Sequence, residues 1–157
     1  MGTEGENLMN LLQMLKDDHD RLRKLLEDIE SFDENAVEKR KKAASELFLE
    51  LEIHIRLEEE ILYPSALEVF DKKGKPLRIA VEEHQRMKTW MKNLKELSPN
   101  DEEYKIQFSL FREALKHHLE EEEKELFPQT ENLLNKESMS VEPLAEEYSS
   151  DSPRISE

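Results

Sequence analysis

The sequence predicts an all-α fold, an antiparallel up-down-up-down four-helix bundle, and three observations predict it. Apolar residues recur three and four apart along four long segments, the spacing that lines one face of an α-helix. Compact stop signals, SFDEN, DKKGK and SPND, part these segments, and only three glycines (Gly2, Gly5 and Gly74) and six prolines interrupt the 157 residues. Nowhere is there a sustained two-residue alternation rich in β-branched side chains, which argues against a sheet.

The first helix covers about residues 8–30, with Leu8, Leu11, Leu12, Leu15, Leu22, Leu25, Leu26 and Ile29 on one broad face. SFDEN breaks it, and Asp33 or Asn35 is placed to cap the second helix. That helix covers about 36–67 and turns Ala44, Leu47, Leu51, His54, Glu58 and Ile61 inward. Pro64 is expected to kink or narrow its end. After the DKKGK turn, Pro76 suits the first position of a third helix, which runs to about residue 97. SPND stops that helix and offers another cap. The last helix covers about 101–127 and continues past a disturbance at Pro128 to about 134. Connections this short make neighbouring helices antiparallel. Residues 1–134 are assigned to the bundle, and 135–157, acidic, serine-rich and proline-punctuated, to a flexible tail.

Composition narrows the function. With 36 % apolar and 39 % charged residues, the chain can fold only if its apolar residues are strictly striped. A net charge of −15 argues against a nucleic-acid partner, which needs a basic footprint, and disfavours an anionic membrane surface. The absence of cysteine excludes disulfides, thiolate zinc sites and iron–sulfur clusters. No apolar run approaches the ~20 residues that span a bilayer. The opening MGTEGENLMN lacks the basic flank and apolar core of a signal peptide, and Glu6 stands where a myristoylation signal needs Ser or Thr. The expected location is the cytoplasm. A monomer or weak homodimer is expected, with the acidic tail available to a protein partner.

The chemistry lies in an internal repeat. Residues 54–64, HIRLEEEILYP, and 118–128, HLEEEEKELFP, share the pattern H-x-x-x-E-E-x-x-L-[FY]-P at an offset of 64, while His19 in DDHDRL and His84 in EEHQRM stand 65 apart. One helix pair is therefore used twice, with a distinctive histidine on each of four helices. His and Glu four residues apart project from one helix face, one turn apart. His54 follows Leu47 and Leu51 along the apolar side, and His118 follows Phe111 and Leu115. His19 and His84 fall in register with Leu15 and Leu22, and with Val81 and Met87. Periodicity thus places all four imidazoles inside the bundle, where uncompensated polar groups are costly.

A pair of metal ions resolves that cost, since imidazole nitrogen and carboxylate oxygen suit iron, manganese or zinc. Glu58 and Glu122 are each placed to give one oxygen to each of two ions. His19 with His54 completes one ion's protein shell, and His84 with His118 the other's. Room remains for water, an oxo or hydroxo bridge and a small exogenous ligand. Open positions in an N/O shell favour two Fe ions, with Mn and Zn kept open.

A lone histidine on such a face is usually an ordinary core residue, but four of them, with a doubled HxxxE motif, outweigh that reading. His117 points about 100° away from His118 and belongs at the surface. Glu59, Glu60, Glu120, Glu121 and Glu123 read as solvated charge runs. Glu50, one turn before His54, is a weak candidate to orient its ring, because Ala114 holds the matching place before His118. Lys88, one turn after His84, either snorkels outward or sits near the opening. Tyr63 and Phe127 read as packing near the bundle end, and Trp90, Met87 and Met91 as core or boundary packing.

The doubled HxxxEExxL[FY]P motif, with His19 and His84, resembles the hemerythrin-like (HHE cation-binding) family over about residues 10–134. The resemblance implies a four-helix bundle around a non-haem di-iron centre, with Glu58 and Glu122 as bridges and His19, His54, His84 and His118 as terminal ligands. Three departures stand out. Oxygen-carrying members have a fifth histidine where this chain has Lys88, and an aspartate bridge one residue beyond Glu122. An iron- and oxygen-sensing branch has a glutamate where this chain has Ile55. A shell poorer in protein ligands points to binding or reaction with a small oxidant (O2, peroxide or NO), for sensing or detoxification rather than bulk oxygen storage. The alternatives are an iron-responsive regulatory module and a catalytic peroxidase or NO reductase.

Overall fold

The computed structural model describes residues 4–69 and 75–137. Every long element among them is helical: α1 (Glu4–Ser31), α2 (Val37–Leu57), α3 (Tyr63–Val69), α4 (Lys75–Lys95), α5 (Glu102–Glu121) and α6 (Phe127–Glu137). A π turn at Glu58–Leu62 joins α2 to α3, and another at Glu122–Leu126 joins α5 to α6. The chain thus forms four rods, α1, α2–α3, α4 and α5–α6, with α1 packed on α2 and α4 on α5. The expected DKKGK turn (71–75) lies almost wholly outside the described residues. So does the tail, from residue 138 onward.

The connection between α1 and α2 departs from expectation. Neither Asp33 nor Asn35 caps α2; the N-cap position is Ala36, without a side-chain bond. Asp33 instead closes its own turn, accepting the Asn35 N–H at 2.9 Å, while its carbonyl accepts the Ala36 N–H. Asp101 does occupy the N-cap of α5, with extended backbone, and its carboxylate accepts the Ser98 N–H rather than a helical one.

The helix does not narrow before Pro64; the turn there widens, and the disturbance expected at Pro128 is a widened turn of the same kind. The Tyr63 N–H reaches back five residues to the Glu58 carbonyl, and the Phe127 N–H does the same to Glu122. A proline ring in an α-helix collides with the carbonyl four residues earlier and offers it no N–H. Widening the preceding turn takes up that conflict, and it falls at the same place in both copies of the repeat.

The core divides in two. One cluster joins Leu22, Leu26, Leu47, Leu51, Met87, Met91, Phe111 and Leu115, with Trp90 packed at its edge. The other joins Leu8, Leu12, Leu15, Leu62, Ala66, Leu77, Leu126 and Phe127. Between them lie the polar residues of the repeat. On this register Leu47→Ala, at a fully buried position, costs about 2–5 kcal/mol in denaturant titration. Leu49→Ala, at a position 57 % exposed and only two residues on, costs less than about 0.5 kcal/mol. Equal costs would contradict the helical facing.

Candidate metal centre

Helix periodicity carries His19 (α1), His54 (α2), His84 (α4) and His118 (α5) to the layer between the two apolar clusters, where Glu58 and Glu122 open the π turns. None of the six is more than 2 % exposed. They form two overlapping groups, His19, His54, Glu58 and Glu122, and Glu58, His84, His118 and Glu122, with the donor atoms of each group within 4.8 Å of one another. Both glutamates belong to both groups, and each offers a different oxygen to each half. Glu58 Oε2 lies 3.0 Å from His54 Nε2, while its Oε1 lies 3.0 Å from His84 Nε2. Glu122 Oε1 lies 3.1 Å from His19 Nε2, while its Oε2 lies 3.3 Å from His118 Nε2.

Every imidazole turns its other nitrogen outward onto a carboxylate. His19 Nδ1–H donates to Glu123 at 2.7 Å, His54 to Asp18 at 3.2 Å, His84 to Glu59 at 2.7 Å and His118 to Glu83 at 2.6 Å. Such a bond fixes the ring and aims Nε2 inward, as a carboxylate–histidine pair does behind a bound metal. The pattern obeys the repeat. Asp18 and Glu83 precede the first histidine of each helix pair and hold the second one; Glu59 and Glu123 follow the two central glutamates and cross to the opposite pair.

Sequence reasoning missed most of this outer layer. Glu59 and Glu123 are not solvated charges. Glu50 accepts from Arg21, and it is Asp18 that meets His54. The signal was present in the second E of both HxxxEE motifs and in the D-H and E-H dipeptides. The rule of 100° per residue placed those second glutamates outside, but a π turn sets consecutive side chains at a smaller angle.

Tyr63 also departs from its expected place at the bundle end. Its hydroxyl donates to Glu122 Oε2 at 2.6 Å and lies 3.1 Å from Glu58 Oε1 and 3.3 Å from His84 Nε2. Phe127, at the matching position, packs against His19 with ring centres 5.3 Å apart. Lys88 turns to Glu59, Nζ to Oε1 at 3.3 Å, so it backs the centre from outside. His117 is at the surface as expected, 62 % exposed, with Nε2 3.8 Å from Glu83.

The donor set fits metal. His54 Nε2 and Glu58 Oε2 are buried, face each other and have no hydrogen-bond partner, an expensive arrangement that an ion between them relieves. Charge agrees in direction: Glu58 and Glu122 are adjacent, fully buried carboxylates whose charge a cation would offset.

Comparison with known proteins agrees with this geometry. The family described as Hemerythrin HHE cation binding domain matches residues 10–130. The chain is 28 % identical over 120 residues to Rv2633c of Mycobacterium tuberculosis and to Mb2666c of Mycobacterium bovis, spanning 76 % of this chain and 71 % of each relative. The crystal structure of a hemerythrin HHE cation-binding domain-containing protein, the Rv2633c homologue of Mycobacterium kansasii, superposes with a TM-score of 0.72 at 24 % identity, covering 92 % of this chain and 84 % of that one.

Without metal, charged pairs hold the layer together. Burial opposes charge on His54, but the adjacent Glu58 carboxylate and the bond to Asp18 raise its pKa well above the ordinary range; His118 is raised likewise, against burial, chiefly by Glu122. Burial and Glu122 push Glu58 up, yet His54 and His118 bring it down to about 2, and Glu122 is lowered too, its burial outweighed by His118. The raised imidazoles stabilise the metal-free fold below their unfolded pKa, and that contribution goes as pH climbs through the folded values. The lowered carboxylates stabilise it above their unfolded pKa, and theirs goes as pH falls through the folded values. A metal bound at these nitrogens would displace the protons on His54 and His118, so its uptake at neutral pH would release protons and tighten as pH rises. An indicator dye in weak buffer measures the release; uptake without it contradicts this charge assignment.

Proposed function

The chain belongs to the hemerythrin HHE cation-binding domain family, and on that premise we propose that it is a non-haem di-iron protein that binds or reacts with a small oxidant (O2, peroxide or NO). The observation that carries this reading is the pair of four-residue groups sharing Glu58 and Glu122, with all four Nε2 atoms aimed inward and all four Nδ1 atoms held by carboxylates. In this assignment His19 and His54 would hold one ion and His84 and His118 the other, with Glu58 and Glu122 available to both. Two adjacent irons supply a two-electron redox couple and open positions for a small ligand. The choice of iron over manganese or zinc rests on the family and on a mixed N/O donor set with fewer protein ligands than a closed shell needs.

The protein's own part is to exclude water and to position a proton. Leu22, Leu51 and Leu115 belong to the cluster on one side of the layer, and Leu15, Leu62 and Phe127 to that on the other, so polar organic substrates are disfavoured. Without metal, burial first, then the charges of Glu122 and Glu58, push the Tyr63 pKa well above the ordinary phenol value, so its hydroxyl there carries a proton. That proton sits at Oη, within reach of the space between the two carboxylates. A fixed O–H donor at the centre favours turnover, as in detoxification or sensing by reaction, over reversible storage.

Metal analysis of anaerobically purified protein is expected to give two irons per chain, with an optical spectrum that changes on exposure to oxygen or peroxide. Glu58→Ala and His118→Ala each remove at least about half of the metal, since losing one ligand removes a bridge or an anchor. His117→Ala leaves the metal in place. Unaltered metal content in the first two variants would sink the assignment. Tyr63→Phe is expected to retain metal but to slow the spectral reaction with peroxide about a hundredfold, the low end of what a positioned acid contributes; an unchanged rate removes Tyr63 from the chemistry.

A further inference from the structure

The two halves of the centre are built alike and finished differently. Arg23 stands four residues after His19 on α1, and Lys88 four residues after His84 on α4. Each reaches to a carboxylate of another rod, the one that holds the histidine a turn before it. Arg23 grips Glu123 with both terminal nitrogens, at 2.8 and 2.9 Å. Lys88 meets Glu59 with one bond of 3.3 Å. A planar guanidinium fork fixes a carboxylate in position and orientation, whereas an ammonium on a flexible stem is a point charge.

The inner side differs in the same sense. Tyr63 lies along the His84 ring, centres 5.5 Å apart and planes 15° apart. Its hydroxyl donates its one proton to Glu122 Oε2 at 2.6 Å and lies 3.1 Å from Glu58 Oε1, the two oxygens that face His118 and His84. An ion on that side competes with the phenol at Glu122 Oε2. On the other side Phe127 offers no competing group to His19, and the two orphaned buried atoms, His54 Nε2 and Glu58 Oε2, belong to that half. A bound ion therefore relieves more there. A cavity of about 220 Å³ beside α4 and α5 is lined by Glu83, which holds His118, and by His117 and Glu122 among others.

We propose that the centre is split into a retentive half, His19 with His54, and an exchangeable half, His84 with His118, with Arg23 and Lys88 as the positioning residues that set the difference. This rests on the di-metal reading above. The exchangeable half is the one that carries Tyr63, so a small ligand meets the protein there.

The test is chelator competition on protein loaded anaerobically with two equivalents of Fe2+, followed with a chromogenic ferrous chelator. The expected release has two phases of one equivalent each. Arg23→Gln accelerates the slow phase about tenfold, the low end for a partner that orients a ligand, and Arg23→Lys falls between it and the parent. Lys88→Gln accelerates the fast phase, Lys88→Arg slows it, and Tyr63→Phe slows it by removing the competitor. Lys92→Gln, an exposed lysine on α4, changes neither. A merely structural role for Arg23 would speed both phases together, and that result overturns the proposal, as does single-phase release of both ions. Failure to take up two equivalents brings down the di-metal reading itself, so the two failures are distinct.

Discussion

The structure turns on the burial of six ionisable side chains in one layer across the middle of a small bundle. Isolated charges there would each cost several kcal/mol. The layer is tolerable because its members answer one another: imidazoles against glutamates inside, and a ring of Asp18, Glu59, Glu83 and Glu123 outside that takes up every remaining ring nitrogen. The apolar clusters on either side supply the driving force and keep water from the layer. His54 Nε2 and Glu58 Oε2 face each other at 3.0 Å with no other partner.

This layer also explains why the helices are not regular. The α2–α3 and α5–α6 rods each change to a π turn at their central glutamate, and each turn ends two residues before a proline. The widened turn lets Glu58 face the centre while Glu59 still reaches His84, and lets Glu122 and Glu123 do the same toward His118 and His19. A strictly α-helical rod would spread each pair too far apart around its axis. The prolines, which look like defects in a helix, sit beside the backbone geometry that the outer carboxylates need.

Use of one helix pair twice gives the centre its approximate symmetry, and single substitutions between the copies break it. Where one copy has Tyr63 the other has Phe127, so a hydroxyl enters one half only. Where one has Arg23 the other has Lys88, so one outer carboxylate is clamped by two bonds and the other by one. These differences are small in sequence, yet the hydroxyl and the looser clamp fall on the same half of the centre.

The sequence by itself determined the helical class, the number of rods and the six inward polar residues. Apolar spacing and a fixed His-to-Glu interval are local properties, legible wherever the helix is regular, and the doubled motif made chance a poor explanation. Tertiary structure alone decided which carboxylate holds which histidine, because Asp18 to His54 and Glu123 to His19 are contacts between different rods. It alone moved Tyr63 from the bundle end into the centre and turned Lys88 onto Glu59. Periodicity counts residues around one axis; it carries no information about a change of helical pitch, nor about the direction from which a second helix approaches.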